Sequence, residues 1–273
     1  MTAFAKMHGI GNDFVILDTI RDATPERDWT EFSSRVCDRR FGIGADGLIL
    51  VELGKAAPYR MRMFNPDGSE SEMCGNGVRC VARLLHEHGH TRAPKLDVET
   101  GAGVLGLEPL LDGRVRVDMG VARLTRGEIG MTGPAGERFV DQPVAGEIKG
   151  TAVSMGNPHL VIFVDDVQAV DLKHLGPKLE HSPLYPHRTN VHFVQVVSPG
   201  RLVQRTWERG AGATLACGTG ACASAVASRL ARGGASRTIV RLPGGDLEIE
   251  VGDDFHVHMT GAASLAFEGV WPD

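Results

Sequence analysis

The sequence predicts an α+β protein built from two similar halves. Three observations carry that reading: many short apolar runs broken by turn residues, only a few helical patterns, and a near repeat of the chain at a fixed offset. Thirty-five glycines and fourteen prolines punctuate the runs. Phe14–Leu17, Leu48–Val51, Leu160–Val164 and Val191–Val194 have the length and the β-branched content of buried strands. Helical patterns fall at about Thr30–Arg39, Gly77–His88 and Gly220–Arg232, with Gly89 and Gly233 as stops at the last two.

The repeat is read before any motif. Gly11-Asn12 before one apolar strand matches Gly156-Asn157 before another, 145 residues on. Cys74-Gly-Asn-Gly77 matches Cys217-Gly-Thr-Gly220 at an offset of 143, and the same offset sets Asn65 on Glu208. Gly-Asn pairs are common turn signals, so any one match has a bland explanation. Three ordered matches, each tying a polar residue to the same kind of element, point to two halves that meet near Gly120.

With 273 residues, 42% hydrophobic and 23% charged, the chain has the composition of a globular protein able to bury two cores. A net charge of −5 and two tyrosines leave no footprint for nucleic acid, and no run of about 18 apolar residues suggests a membrane span. Lys6, His8, Asn12 and Asp13 interrupt the N-terminal stretch where a signal peptide needs an apolar core, so a cytoplasmic protein with a small-molecule partner is expected. The five cysteines, Cys37, Cys74, Cys80, Cys217 and Cys222, include no Cys-x-x-Cys pair. Neither a disulfide framework nor a zinc finger is expected, and no metal is expected at the site.

Cys74 and Cys217 each stand just before a helix and beside glycines. Free N–H groups in a helix's first turn attract an anion, so two such ends suit a carboxylate, and the same partial positive charge is expected to lower a thiol's pKa. Cys37, Cys80 and Cys222 lie inside helices and read as small core hydrophobes. A hydrolase needs one thiol with a histidine, and a dithiol redox enzyme more often holds both cysteines in one motif. Two equivalent cysteines in two halves match racemisation: one base takes a proton from carbon, and an acid on the other face returns one. No pyridoxal phosphate site is recognisable, so electrostatics must stabilise the carbanion. A silent amino-acid-binding protein is the rival from outside enzymology.

Five further stretches sharpen the reading. They are Met7–Phe14, Phe64–Glu70, Met73–Gly77, Ser154–His159 and Glu208–Gly220, followed by Leu242–Gly245 and Met259–Gly261. Together they resemble the diaminopimelate epimerases along the whole chain and set it apart from proline racemases and phenazine-pathway isomerases. The resemblance implies two pseudo-symmetric α+β domains, each a curved, barrel-like mixed β-sheet around a central helix, with the active site in the cleft between them. The domains would span residues 1–118 with a C-terminal return of 264–273, and 119–263. The implied activity is cofactor-independent interconversion of LL- and meso-diaminopimelate for lysine and peptidoglycan precursors, in a homodimer; a same-fold racemase of another amino acid is the alternative.

By residue, the resemblance makes Cys74 and Cys217 the acid/base pair. Backbone N–H groups at Gly75, Asn76, Gly218 and Thr219 would hold the reacting carboxylate, and Glu208 the α-ammonium. Asn12, Asn65, Asn157, Asn190 and Arg209 would read the distal end, with His159 in support. Two departures stand out. Gly47 sits where some members carry glutamine, so no side-chain contact with substrate is expected there. Ala213 sits where many carry glutamate.

Overall fold

The computed structural model describes residues 1–22 and 24–272. The chain adopts the sheet-rich α+β class with few helices, and it divides into two units: Met1–Asp118 with Thr260–Asp273, and Met119–Met259.

The first unit opens with β1 (Thr2–Gly9), β2 (Asn12–Asp18), α1 (Trp29–Cys37), β3 (Gly47–Leu53), β4 (Tyr59–Phe64) and β5 (Glu70–Ser71). It continues with α2 (Gly75–Glu87), β6 (Leu96–Thr100), β7 (Gly103–Pro109) and β8 (Arg114–Val121). The second unit holds α3 (Arg126–Ile129), β9 (Gln142–Ala145), β10 (Ile148–Ser154), β11 (Pro158–Phe163), α4 (Leu172–Glu180), β12 (Asn190–Ser198), β13 (Arg201–Glu208), β14 (Gly212–Thr214), α5 (Gly218–Arg232), β15 (Arg237–Leu242) and β16 (Gly245–Val251). β17 (His256–Ala262) leads back to β18 (Ser264–Trp271), which pairs antiparallel with β1.

Pairing follows one scheme in both units. β1 and β2 are antiparallel, β2 and β3 parallel, β3 and β4 antiparallel; β4 then pairs antiparallel with β5 and parallel with β6, and β6 antiparallel with β7. β10, β11, β12, β13, β14, β15 and β16 repeat that order of partners and directions. Even the register repeats: Phe14 faces Gly47 across β2 and β3, and His159 faces Asn190 across β11 and β12. Among the described residues neither row of strands closes on itself.

Each row wraps a central helix. α2 packs on β1, β2, β6, β7 and β18, whereas α5 packs on β10 to β13, β15 and β16. Ten of the 13 residues of α2 and ten of the 15 of α5 are buried, and small residues in α5 allow the strands to approach it closely. Both begin two residues earlier than the sequence pattern suggests, at Gly75 and Gly218, because a cysteine serves as N-cap where Ser, Thr, Asp or Asn is usual. Gly89 and Gly233 take left-handed backbone at the stops, at φ 76° and 64°.

Sequence reading missed α3 and α4. α3 is a single turn closed by a Thr125/Glu128 capping box and a left-handed Gly130. α4 contains Gly176 and Pro177, which read as breakers. Gly176 is there for packing: a Cβ on it would stand 2.5 Å from the Trp207 ring of β13.

Candidate active site

In the first unit the site is built at the start of α2. Cys74 is the N-cap, and the Gly77 N–H donates to its Sγ at 3.4 Å. Asn12, at the start of β2, brings Oδ1 to 3.7 Å from the same sulfur and accepts from Asn76 Nδ2 at 3.0 Å. Asp46 fixes the Asn12 amide by accepting from Nδ2 at 2.7 Å. Arg79, fully buried one turn into the helix, donates to Asn76 Oδ1 at 2.9 Å and to the Gly75 carbonyl at 3.0 Å. Asn12, Cys74, Gly75 and Asn76 therefore form one cluster with oriented amides. Asn65 bonds within its own turn, to the Ser69 hydroxyl at 3.0 Å, while Ser33 of α1 donates to its carbonyl at 2.8 Å.

In the second unit the cluster forms at the start of α5. Cys217 is the N-cap, its Sγ 3.7 Å from the Thr219 hydroxyl. Asn157 reaches the Thr219 hydroxyl at 3.5 Å and takes a 2.9 Å hydrogen bond from His159 Nε2. His159 Nδ1 lies 2.9 Å from His192 Nε2, and His192 Nδ1 lies 3.0 Å from the Thr206 hydroxyl and 3.2 Å from Gln204 Nε2. An amide oxygen only accepts, so the network assigns the proton of each ring to Nε2 and runs in one direction toward Asn157. Burial, with His192 and Arg209 nearby, drives the His159 pKa well down, and burial takes His192 down to about 3. Both rings are neutral at physiological pH.

Glu208, the last residue of β13, accepts from the Thr214 hydroxyl at 2.5 Å. Asn190 is buried and already bonded on both sides: Oδ1 accepts from the Arg209 N–H and Nδ2 donates to the Pro158 carbonyl, each at 3.0 Å. The exposed Arg209 guanidinium donates to the His187 carbonyl at 3.2 Å. Glu180 of α4 holds this corner, accepting from Trp207 Nε1 at 2.8 Å and from the Gly210 N–H at 3.1 Å.

The five cysteines are all free thiols. Burial pushes Cys37 up to about 11 and Cys80 up to about 12, as suits core side chains. Cys217 corrects the expectation of a lowered pKa. Burial and the Glu208 carboxylate raise it well above the ordinary thiol value, outweighing the Gly220 N–H and Thr219 hydroxyl that pull the other way. A helix N-terminus stabilises a thiolate only where desolvation and neighbouring anions leave it room to do so.

Gly47 has a steric explanation: a Cβ there would sit 3.0 Å from Met63 Cε and from the Phe64 carbonyl. Ala213 is exposed on β14, paired with Trp207. Sequence reading missed Asp46, Arg79, Glu180, His192, Gln204 and Thr206. Arg79 alone left a signal, a charge four residues after Gly75 in the mostly small and apolar first half of its helix.

The family model described as diaminopimelate epimerase matches residues 4–125 and 151–266. The diaminopimelate epimerase of Moorella thermoacetica is 51% identical over 98% of this chain and 99% of its own, and that of Desulforudis audaxviator is 52% identical over 98% of each. Among solved structures, a phenazine biosynthesis protein of the PhzF family from Bacillus anthracis aligns with a TM-score of 0.71 at 16% identity, covering 98% of both chains. A probable proline racemase from Agrobacterium radiobacter aligns at 0.70 and 17%, covering 100% of this chain and 93% of that one; these two establish the fold alone. Near-complete coverage at about half identity, joined to a twice-built cysteine N-cap, places the chain in the diaminopimelate epimerase family.

Proposed function

We propose that the chain interconverts LL- and meso-diaminopimelate, with Cys74 and Cys217 as its two acid/base groups and no cofactor. The observation that supports this most is the repeated Cys-Gly-x-Gly helix start, set in a family whose relatives carry that activity in their names. One sulfur, as thiolate, takes the α-proton. The other, as thiol, gives its proton to the opposite face of the same carbon. The carbon is inverted, the two sulfurs have exchanged protonation states, and exchange with water resets them.

Cys217 starts as the thiol, since burial and Glu208 hold its proton. A substrate ammonium paired with Glu208 cancels part of that negative charge and makes the proton easier to release. N–H groups at Gly75, Asn76, Gly218 and Thr219 are the donors for a carboxylate on which charge grows as the α-proton leaves. Neutral His159 and His192 orient Asn157 without adding a charge. Asn12, Asn65, Asn157, Asn190 and Arg209 read the second amino-acid end, the guanidinium gripping its carboxylate. A cytoplasmic homodimer working in lysine and peptidoglycan-precursor synthesis belongs to the same reading.

The test is LL-diaminopimelate in D₂O with the chain alone. Deuterium should enter at one α-carbon as the meso form appears. Meso product without deuterium, or no turnover, sinks the proposal, and turnover of proline instead of diaminopimelate would favour a same-fold racemase of another amino acid.

A further inference from the structure

Across the end of α2 the chain reads His86-Glu-His88-Gly-His90, and two of these histidines, both past the last helical residue Glu87, converge on the end of β2. Gly89, in left-handed backbone, makes the turn that brings His90 alongside His88. His88 Nδ1 lies 2.6 Å, and His90 Nε2 2.7 Å, from one oxygen of Asp18, Oδ2. Asp18 is 4% exposed. Its other oxygen accepts from the backbone N–H groups of Ile20 and Arg21, at 3.2 and 3.1 Å, which aims Oδ2 at the two rings.

The second nitrogen of His88 also faces a carboxylate, with Nε2 3.0 Å from Glu268 Oε1 of β18. A neutral imidazole carries one N–H and cannot donate to two carboxylates at once. Where Glu268 takes the only ring proton, at Nε2, the Nδ1 lone pair points at Asp18, and either a second ring proton or a metal ion fills the place between them. A histidine whose far nitrogen is held by a carboxylate, beside a carboxylate fixed by backbone donors, is the outer-shell arrangement of metal ligands.

The ligand atoms of Asp18, His88 and His90 lie within 4.8 Å of one another. Two imidazoles and a carboxylate suit zinc and its neighbours, with metal–ligand bonds of about 2.0–2.2 Å in a tetrahedron. Such a tetrahedron sets ligand atoms roughly 3.3 Å apart, so the rings need to withdraw by roughly 0.6 Å. A cavity of about 320 Å³, lined in part by Asp18, His88 and Glu268, leaves space for a water as fourth ligand. Arg21 also lines it, its guanidinium 3.2 Å from Asp22.

We propose that Asp18, His88 and His90 bind a divalent transition-metal ion such as zinc, with Glu268 orienting His88 from behind. The ion ties together β2, the end of α2 and β18, three segments distant in sequence. None of these residues belongs to the proposed acid/base machinery, so the site is structural.

The test is titration of the chelator-treated chain with Co²⁺ alone, followed by displacement with Zn²⁺. One equivalent should give the visible bands of tetrahedral cobalt without the near-ultraviolet charge-transfer band of a thiolate ligand, and zinc should raise the melting temperature. His88→Gln with His90→Gln should abolish both signals, and Glu268→Gln should weaken cobalt binding by about 10–100-fold. No tetrahedral band, a thiolate band, or a band unchanged in the double variant overturns the proposal. Should the double variant fail to fold, His90→Gln and Glu268→Gln decide it, since unchanged cobalt affinity in both overturns it equally.

Discussion

Beneath the first turn of α2 lie Phe14 and Ile49, within 3.7 and 2.8 Å of a Cβ placed on Gly77. Ile49 pairs with Met63 of β4, and Met61 is two residues before it; all four are buried. The equivalent positions of the second unit hold His159, His192, Thr206 and Gln204, equally buried. There the His192 ring comes within 2.2 Å of a Cβ placed on Gly220. Topology and register are the same, yet one helix start rests on an apolar floor and the other on a hydrogen-bonded polar one. Strand pairing is a property of backbone, so it survives replacement of the whole layer; a polar layer survives only where its members find one another.

The largest expected effect breaks the feature the units share. Cys74→Ala and Cys217→Ala should each lower turnover by about 10²–10⁴-fold, as loss of one acid/base group does. A steady-state assay checks this, and retained turnover in either variant removes the two-base reading.

Exchanging floors tests the difference between the units. His192→Ile copies Ile49 into the second unit, strands His159 Nδ1 and takes the acceptor from the Thr206 O–H, whose oxygen keeps its bond from Gln204, at about 1–3 kcal/mol for each orphaned group. Adding His159→Phe, Gln204→Met and Thr206→Met, which completes the apolar set, should recover most of the urea midpoint while activity stays lost. If His192→Ile alone leaves both unchanged, the polar floor has no role.

A smaller effect concerns acid. His159 and His192 are neutral in the fold, with pKa values below the unfolded value near 6.5. Above that value neither state is charged and they add no pH dependence. Below it the unfolded chain binds protons first, so stability should fall by about 1.4 kcal/mol per group and pH unit as pH drops below 6.5. Urea melts at pH 7 and pH 5 should show a shallower loss in the four-residue apolar variant.

The smallest expected shift is at Cys217. Removing the charge with Glu208→Gln should lower the pH at which this thiol reacts with iodoacetamide, followed by mass spectrometry. An unchanged or higher pH would mean that burial alone sets it.

Much of this is legible in the sequence. Phe14–Leu17 and Val191–Val194 announce strands through their own side chains, and the Gly-Asn and Cys-Gly-x-Gly landmarks announce two equivalent halves. α4 was not legible, because its Gly176 and Pro177 read as breakers until Trp207 is seen packed on the glycine. His192 was hidden as well: within Val-His-Phe-Val it is one polar residue in a strand, and its partners stand at 159, 204 and 206.

By itself the sequence determined the class of fold, the repeat, the places of the two cysteines at helix starts and the family. Those follow from signals carried by neighbours along the chain: periodicity, turn residues and motif spacing. Tertiary structure decided that Arg79 braces Asn76, that two histidines form a neutral chain to Asn157, and that Cys217 holds its proton. Those depend on burial and on charges brought from distant positions, and desolvation, unlike periodicity, exists only once the chain has folded.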